Sequence, residues 1–154
     1  MALDEIDKSI LRVLQRDGRR SNRDLASAVG LSAAPCLRRV QRLEEQGYIS
    51  RYAALVDRSM VGRGLTVFIA VRLAQHTKSA IERFETEVLK DPAVLECHWT
   101  AGETDYLLKV AVADLRGLDQ FLLERMTQIP GVATLLSNIA IRTVKDTTAV
   151  PVDQ

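Results

Sequence analysis

LASAVGLSAAPCLRRVQRLEEQGYI, residues 25–49, decides the fold of the first part of this 154-residue chain. Leu25, Ala26 and Val29 form one side of a short helix. Gly30 then offers the positive φ that a sharp helix-to-helix turn needs, Leu31 plugs the corner, and Ser32 is placed to cap the next helix. On that helix Cys36, Val40 and Leu43 recur at four and three residues and should face a core. At about 100° per residue, Ala34, Arg38, Gln41 and Arg42 fall on the opposite side, with Arg39 flanking. Small residues at the leading end, Ser32, Ala34 and Pro35, let a helix approach base edges, while arginines reach guanine edges or phosphates. These seven residues are the candidate DNA-contacting set.

The flanks support a helix-turn-helix. In LDEIDKSILRVLQRDGR, residues 3–19, the apolar Leu3, Ile6, Ile10 and Leu14 make one stripe of an amphipathic helix that ends at Asp17-Gly18. Ser21 can cap a second helix, with Asp24 favoured by the N-terminal dipole. Gly47 closes the third helix, and YISRYAALVD, residues 48–57, alternates as a short hairpin would, predicting a wing. Arg19, Arg20, Arg23, Arg38, Arg39 and Arg42 are opposed between residues 19 and 42 only by Asp24. A solvated, salt-bridged face is the ordinary alternative, but the position of these cations on a helix-turn-helix favours DNA. Cys36 reads as a small buried hydrophobe.

Composition bounds the rest. With 47% apolar and 27% charged residues the chain is that of a folded globular protein. Cys36 and Cys97, far apart, fit a reducing compartment. No apolar run approaches the roughly 18 residues that cross a bilayer, and the start MALDEIDKS is acidic and polar, so a cytoplasmic protein without membrane insertion is expected. The net charge of +1 conceals an asymmetry: residues 1–64 hold 12 Lys+Arg against 8 Asp+Glu, or +4, and the remainder 9 against 12, or −3. A polyanion should meet the N-terminal part.

After Gly64 the pattern changes. LTVFIAVRL, residues 65–73, alternates as a strand. Ser79 and Glu82 stand at capping-box spacing before a helix lined by Ile81, Phe84 and Val88, which Asp91-Pro92 stops. AVLECHWTAG and DYLLKVAV flank Gly102-Glu103-Thr104 as antiparallel strands. A further helix, capped by Asp114 and lined by Leu115, Leu118, Leu122 and Ile129, should end at Pro130-Gly131, and a last strand should run from Val132 to Val144. The order β-α-β-β-α-β is ferredoxin-like, so the expected class is α+β: a winged helix-turn-helix followed by a ferredoxin-like domain. Expected boundaries are 1–60 for the first domain, 61–64 for a hinge, 65–146 for the second domain and 147–154 for a tail. Phe68, Ala70, Leu136 and Ala140 would leave an apolar sheet face in water, which a second copy of the chain would cover.

LDEIDKSILRVLQRDGR, LASAVGLS, PCLRRVQRLEEQGYI and ECHWTAGETDYLLKV together resemble the Lrp/AsnC family, the feast/famine regulators, over nearly the whole chain. The resemblance implies a transcriptional regulator of amino-acid metabolism with a sheet domain of the RAM type, homodimers that assemble to octamers, and a small amino-acid effector with no other cofactor. It places an effector pocket between subunits at Gly102 and Asp105. Asp105 would supply an anion for the effector's ammonium, and Gly102, Thr104 and Ser137 donors for its carboxylate. The plain alternative for Asp105 is a turn residue, and Trp99 and Tyr106 line the pocket or the core. Leucine-like or sulfur amino acids are the candidate effectors.

The alternative function is an architectural protein that wraps DNA without regard to sequence or effector. Enzyme chemistry is not expected. His76 and His98 are the only histidines, His98 and Cys97 point to opposite strand faces, and no metal, phosphate-loop or nucleophile motif is present.

Overall fold

The computed structural model describes residues 3–152, so residues 1–2 of the expected first domain and 153–154 of the expected tail lie outside it. The chain forms two compact units. The first comprises residues up to Leu55 together with those from Lys145 onward, and the second Val56–Val144.

The first unit is built on three helices, α1 (Glu5–Arg16), α2 (Asn22–Ala28) and α3 (Ala33–Glu45). Asp4 and Asp7 form a reciprocal capping box that starts α1, the Asp4 carboxylate accepting from the Asp7 N–H at 2.8 Å. Ser21 caps α2 by accepting from the Asp24 N–H at 3.1 Å. The corner into α3 is a Schellman turn. Gly30 takes φ +72°, the Leu31 N–H donates to the Ala26 carbonyl at 2.9 Å, and the Gly30 N–H to that of Ser27 at 3.4 Å. Ser32 occupies the N-cap of α3, although its side chain makes no cap hydrogen bond. Ile10, Leu11, Leu25, Ala26, Cys36 and Leu43 are buried together, with Val40 packed against them.

Two expectations for this unit change. The hairpin wing over residues 48–57 does not form: Arg51–Asp57 are exposed and outside any strand. Tyr52 leaves the alternation to lie against Gly18 and to donate its hydroxyl to Glu44 at 2.9 Å, and an isolated two-stranded ribbon has too little buried surface to persist alone. Burial and the Glu44 carboxylate push the Tyr52 hydroxyl up to about 12. The described part of the segment expected as a C-terminal tail, residues 147–152, groups with this unit. The Gln15 amide brackets Val150, accepting from its N–H at 2.6 Å and donating to its carbonyl at 3.0 Å, and Val152 packs on the helical core.

The second unit holds strands β1 (Leu65–Leu73), β2 (Val94–Trp99), β3 (Tyr106–Val112) and β4 (Val132–Ile139), with helices α4 (Lys78–Lys90) and α5 (Leu115–Glu124). The sheet order β2-β3-β1-β4 is antiparallel throughout, the ferredoxin-like arrangement. Val67, Ile69 and Val71 on β1 and Tyr106, Leu108 and Val110 on β3 share one buried face with Phe84 and Val88 of α4 and Leu118 and Phe121 of α5. On the other face Phe68, Leu107 and Leu136 are exposed at 38%, 37% and 59%, so the uncovered apolar surface expected from the alternation is present.

Local details depart from the sequence pattern. Thr77, not a Ser79–Glu82 box, caps α4 by accepting from the Ala80 N–H, which leaves Ser79 inside the helix. Helix α5 ends at Glu124, a 3-10 turn spans Met126–Gln128, and Leu115 is exposed. Strand β4 stops at Ile139, opposite Val67, and the Ala140 N–H still donates to the Thr66 carbonyl at 3.0 Å near the start of β1. The segment expected as a hinge at 61–64 is held in a turn where the Arg63 N–H donates to the Arg58 carbonyl at 2.7 Å and Asp57 accepts from the Ser59 N–H at 2.9 Å.

Ile69, fully buried in the central strand, tests the packing of the sheet. Ile69→Ala should lower the unfolding free energy by about 2–5 kcal/mol, measured by denaturant titration.

Candidate functional site

Two groups of side chains carry the expected chemistry. The first lies on α3. Ser32, Ala34, Arg38 and Gln41 are exposed, and Pro35 is half-buried. Arg38 makes no ion pair among the described residues. This leaves a small leading end followed by one guanidinium and one carboxamide, a surface that fits bidentate contacts to guanine and adenine edges.

Arg39 and Arg42, on the same helix, are engaged by acids at the start of α1. Arg39 Nη1 donates to Asp4 Oδ2 at 2.6 Å and to Asp7 Oδ1 at 2.7 Å, and Arg42 Nη2 donates to Asp7 Oδ2 at 2.5 Å. The Asp7 side chain is 2% exposed, so two cations converge on one buried carboxylate. The six arginines are therefore not opposed by Asp24 alone. Two of them answer acids at the start of α1, more than thirty residues away in sequence. Asp4 is held below the usual carboxylate range, chiefly by the Asp7 N–H and then by Arg39. Stripping the guanidinium groups from Asp7 would strand a buried charge, which typically costs about 3–5 kcal/mol. A signal for this pairing existed: Asp7 falls inside the apolar stripe of α1 beside Ile6 and Ile10, and a carboxylate there needs a cation.

The second group is the turn joining β2 and β3. The Asp105 N–H donates to the Val71 carbonyl at 2.9 Å, while its carboxylate accepts from the Leu73 N–H at 2.7 Å and lies 2.7 Å from His76 Nε2. Thr100 Oγ1 donates to the Thr104 carbonyl at 2.6 Å, and the Arg72 guanidinium donates to the Glu103 carbonyl. Arg72, His76 and Thr100 thus shape the turn, and the sequence reading did not include them. Asp105 acts first as a turn residue. At Gly102 φ is unremarkable and an added Cβ would meet nothing within 4 Å, so neither backbone conformation nor own-chain packing demands glycine there.

Ser137 is not brought to this turn within one chain. It pairs with Ile69 on the helix-covered side of β4, whereas Asp105 meets the Val71–Leu73 end of β1. Three residues along a strand is about 10 Å. Tyr106 is core: its ring lies 4.6 Å from Phe84 and its hydroxyl donates to Glu85 at 2.8 Å. Trp99, two-thirds exposed, stacks over Tyr106 at 6.3 Å. Cys36 is buried, and burial pushes its thiol up, as expected of a packing residue. Among the described residues no group of three or more His, Cys, Asp or Glu side chains is placed to hold a metal, and no helix is long and apolar enough to cross a membrane.

A helix-turn-helix unit with an exposed third helix, followed by an α+β sheet domain with a structured turn, is the layout of a DNA-binding regulator with a separate ligand-binding domain. Comparison with known proteins agrees. Residues 3–50 match the model of winged helix-turn-helix DNA-binding domains, and residues 66–150 that of the Lrp/AsnC ligand binding domain. The chain is 44% identical to the Bkd operon transcriptional regulator of Pseudomonas aeruginosa, covering 97% of each. It is 41% identical to the leucine-responsive regulatory protein of Escherichia coli, over 93% of this chain and 87% of that one. A transcriptional regulator from Neisseria meningitidis, crystallised as an L-methionine complex, superposes with a TM-score of 0.96 at 39% identity, covering 99% of this chain and 98% of the other. The chain belongs to the Lrp/AsnC family. It is a transcriptional regulator, not an enzyme.

The hydrogen bond from Leu73 to Asp105 gives this turn an acid limit. Asp105 is held below the usual carboxylate range, mainly by the Leu73 N–H and then by His76. A depressed carboxylate contributes stability that is present above its unfolded value of about 3.9 and lost as pH falls through its lower folded value. The amide resonance of Leu73 should therefore titrate with a midpoint below that of a free aspartate, and Asp105→Asn should abolish the titration.

Proposed function

We propose that α3 reads operator DNA in the major groove through Ala34, Arg38 and Gln41, with Ser32 and Pro35 at its leading end. The observation that carries this is the exposed, unpaired state of Arg38 on a helix set by the Gly30 corner. The pairing of Arg39 and Arg42 with Asp7 counts against the architectural alternative, since a protein that wraps DNA by phosphate contacts alone gains from every free cation. Arg38→Ala should weaken operator binding by about 1–3 kcal/mol in a mobility-shift assay, while binding to random duplex falls much less.

The ligand is a small amino acid, leucine-like or sulfur-containing, taken up at the turn of Gly102, Thr104 and Asp105 between subunits in the control of amino-acid metabolism. The L-methionine complex of the Neisseria meningitidis relative supports the ligand class. The open space at Gly102 supports the place. Asp105 is already engaged with Leu73 and His76, so it orders the turn and presents its remaining lone pairs to an ammonium group. Ser137 would have to come from another copy. Copies associate through the exposed face of Phe68, Ala70, Leu107 and Leu136 to give a homodimer, and dimers assemble to an octamer in the cytoplasm.

Effector binding alters the balance among these assemblies, which requires different affinities for at least two of them. L-Methionine and L-leucine titrated during sedimentation and promoter mobility assays should shift both readouts. Gly102→Val should keep the fold and DNA affinity while abolishing the shift. No response to any amino acid in the wild type would refute the sensing role.

A further inference from the structure

Asp7 does more than cap α1. Its two oxygens take one guanidinium each, and Oδ2 also accepts the Asp4 N–H at 3.3 Å. The carboxylate is closed to water at 2% exposure, whereas Arg39 and Arg42 keep 26% and 31% of their side-chain surface. Arg42 Nε is buried without a partner, so the position of that side chain is set by the Asp7 contact at its tip and not by a full complement of bonds. On the helical wheel Arg39 lies about 60° and Arg42 about 120° from the Cys36 seam, at the shoulder between core and exposed surface. Released from Asp7, either side chain is long enough to extend over that shoulder to a phosphate.

We propose that Asp7 is a specificity-determining residue of the DNA-binding unit: it withholds Arg39 and Arg42 from the phosphate backbone and leaves α3 to bind through Arg38 and Gln41. This rests on the reading of α3 as the operator-contacting helix. Phosphate contacts strengthen binding to every sequence alike, whereas base contacts separate one sequence from another. Sequestering two of the three α3 arginines on an internal acid therefore lowers the non-specific background more than the specific affinity.

The test uses the full-length protein, a random-sequence duplex and a duplex selected from a random pool by the wild type. Each neutralised phosphate adds about 0.9 to the slope of log affinity against log salt. Asp7→Asn, which preserves shape and removes the charge, should steepen the slope on random DNA by roughly 1–2 per reading head and lower the selected-to-random affinity ratio on the order of tenfold. Adding Arg39→Gln and Arg42→Gln to that variant should restore the wild-type slope. A folded Asp7→Asn protein with an unchanged slope overturns the proposal, since loss of a purely structural contact weakens binding without adding phosphate contacts. If Asp7→Asn does not fold, Arg42→Gln alone decides. An unchanged slope supports the withholding role, and a slope lower by about 0.9 makes Arg42 a phosphate contact and overturns it. A wild type that prefers no selected duplex over random DNA overturns the operator-reading function itself, independently of the slopes.

Discussion

The first unit depends on one buried charge. Asp7 sits in the apolar seam between α1 and α3, where a charge without partners is costly to bury. Two guanidinium groups and a backbone N–H make it tolerable, and in doing so they fix how α3 lies against α1. A wholly apolar seam of the same volume would pack as well and is often the more stable choice. What the ionic seam adds is register: only one rotation of α3 brings both Arg39 and Arg42 onto the same two oxygens. That rotation also turns Ala34, Arg38 and Gln41 outward.

The second unit uses an acid similarly at the β2–β3 turn. Asp105 ties the β2–β3 turn to β1 through the Leu73 N–H, and Arg72 grips the same turn from β1 by the Glu103 carbonyl. A loop held at both ends by its neighbouring strand loses little further entropy when a ligand arrives, so more of the contact energy appears as affinity. In both units, then, an acidic residue orders a surface segment, α3 in the first and the β2–β3 turn in the second.

Much of this was legible in the sequence. The Gly30 corner, the Cys36–Val40–Leu43 spacing and the β-α-β-β-α-β order each follow from a local period or a single special backbone position, which short windows of sequence express fully. The misses involve partners distant in the chain. The carboxylates that pair with Arg39 and Arg42 lie on another helix or at its N-cap, and the place of residues 145–152 is set by Gln15 and the helical core. The missing wing belongs to the same class, because alternation in residues 48–57 describes a strand only if another strand is there to pair with it. Ser137 shows the limit for sites: residue type gave a plausible donor, but strand register faced it to the helices.

Within one chain, any signal between the proposed effector turn and the proposed DNA-contacting helix would have to follow the chain where it crosses between units. The chain does so twice, near Leu55 and near Val144, and both crossings lead to the same end of the sheet, since β1 begins and β4 ends side by side at Thr66 and Ala140. The β2–β3 turn grips the opposite end of β1, at Val71–Leu73. Nine residues of strand, about 30 Å, separate the two ends, and this strand is paired on both sides with Val67, Ile69 and Val71 fully buried. A close-packed central strand has one arrangement, and a switch needs two. Contacts between copies on the proposed Phe68 and Leu136 face would have no such restriction and could differ between assemblies at small cost. Under the proposed function, that contrast favours a response delivered through assembly over one transmitted along the backbone of a single chain.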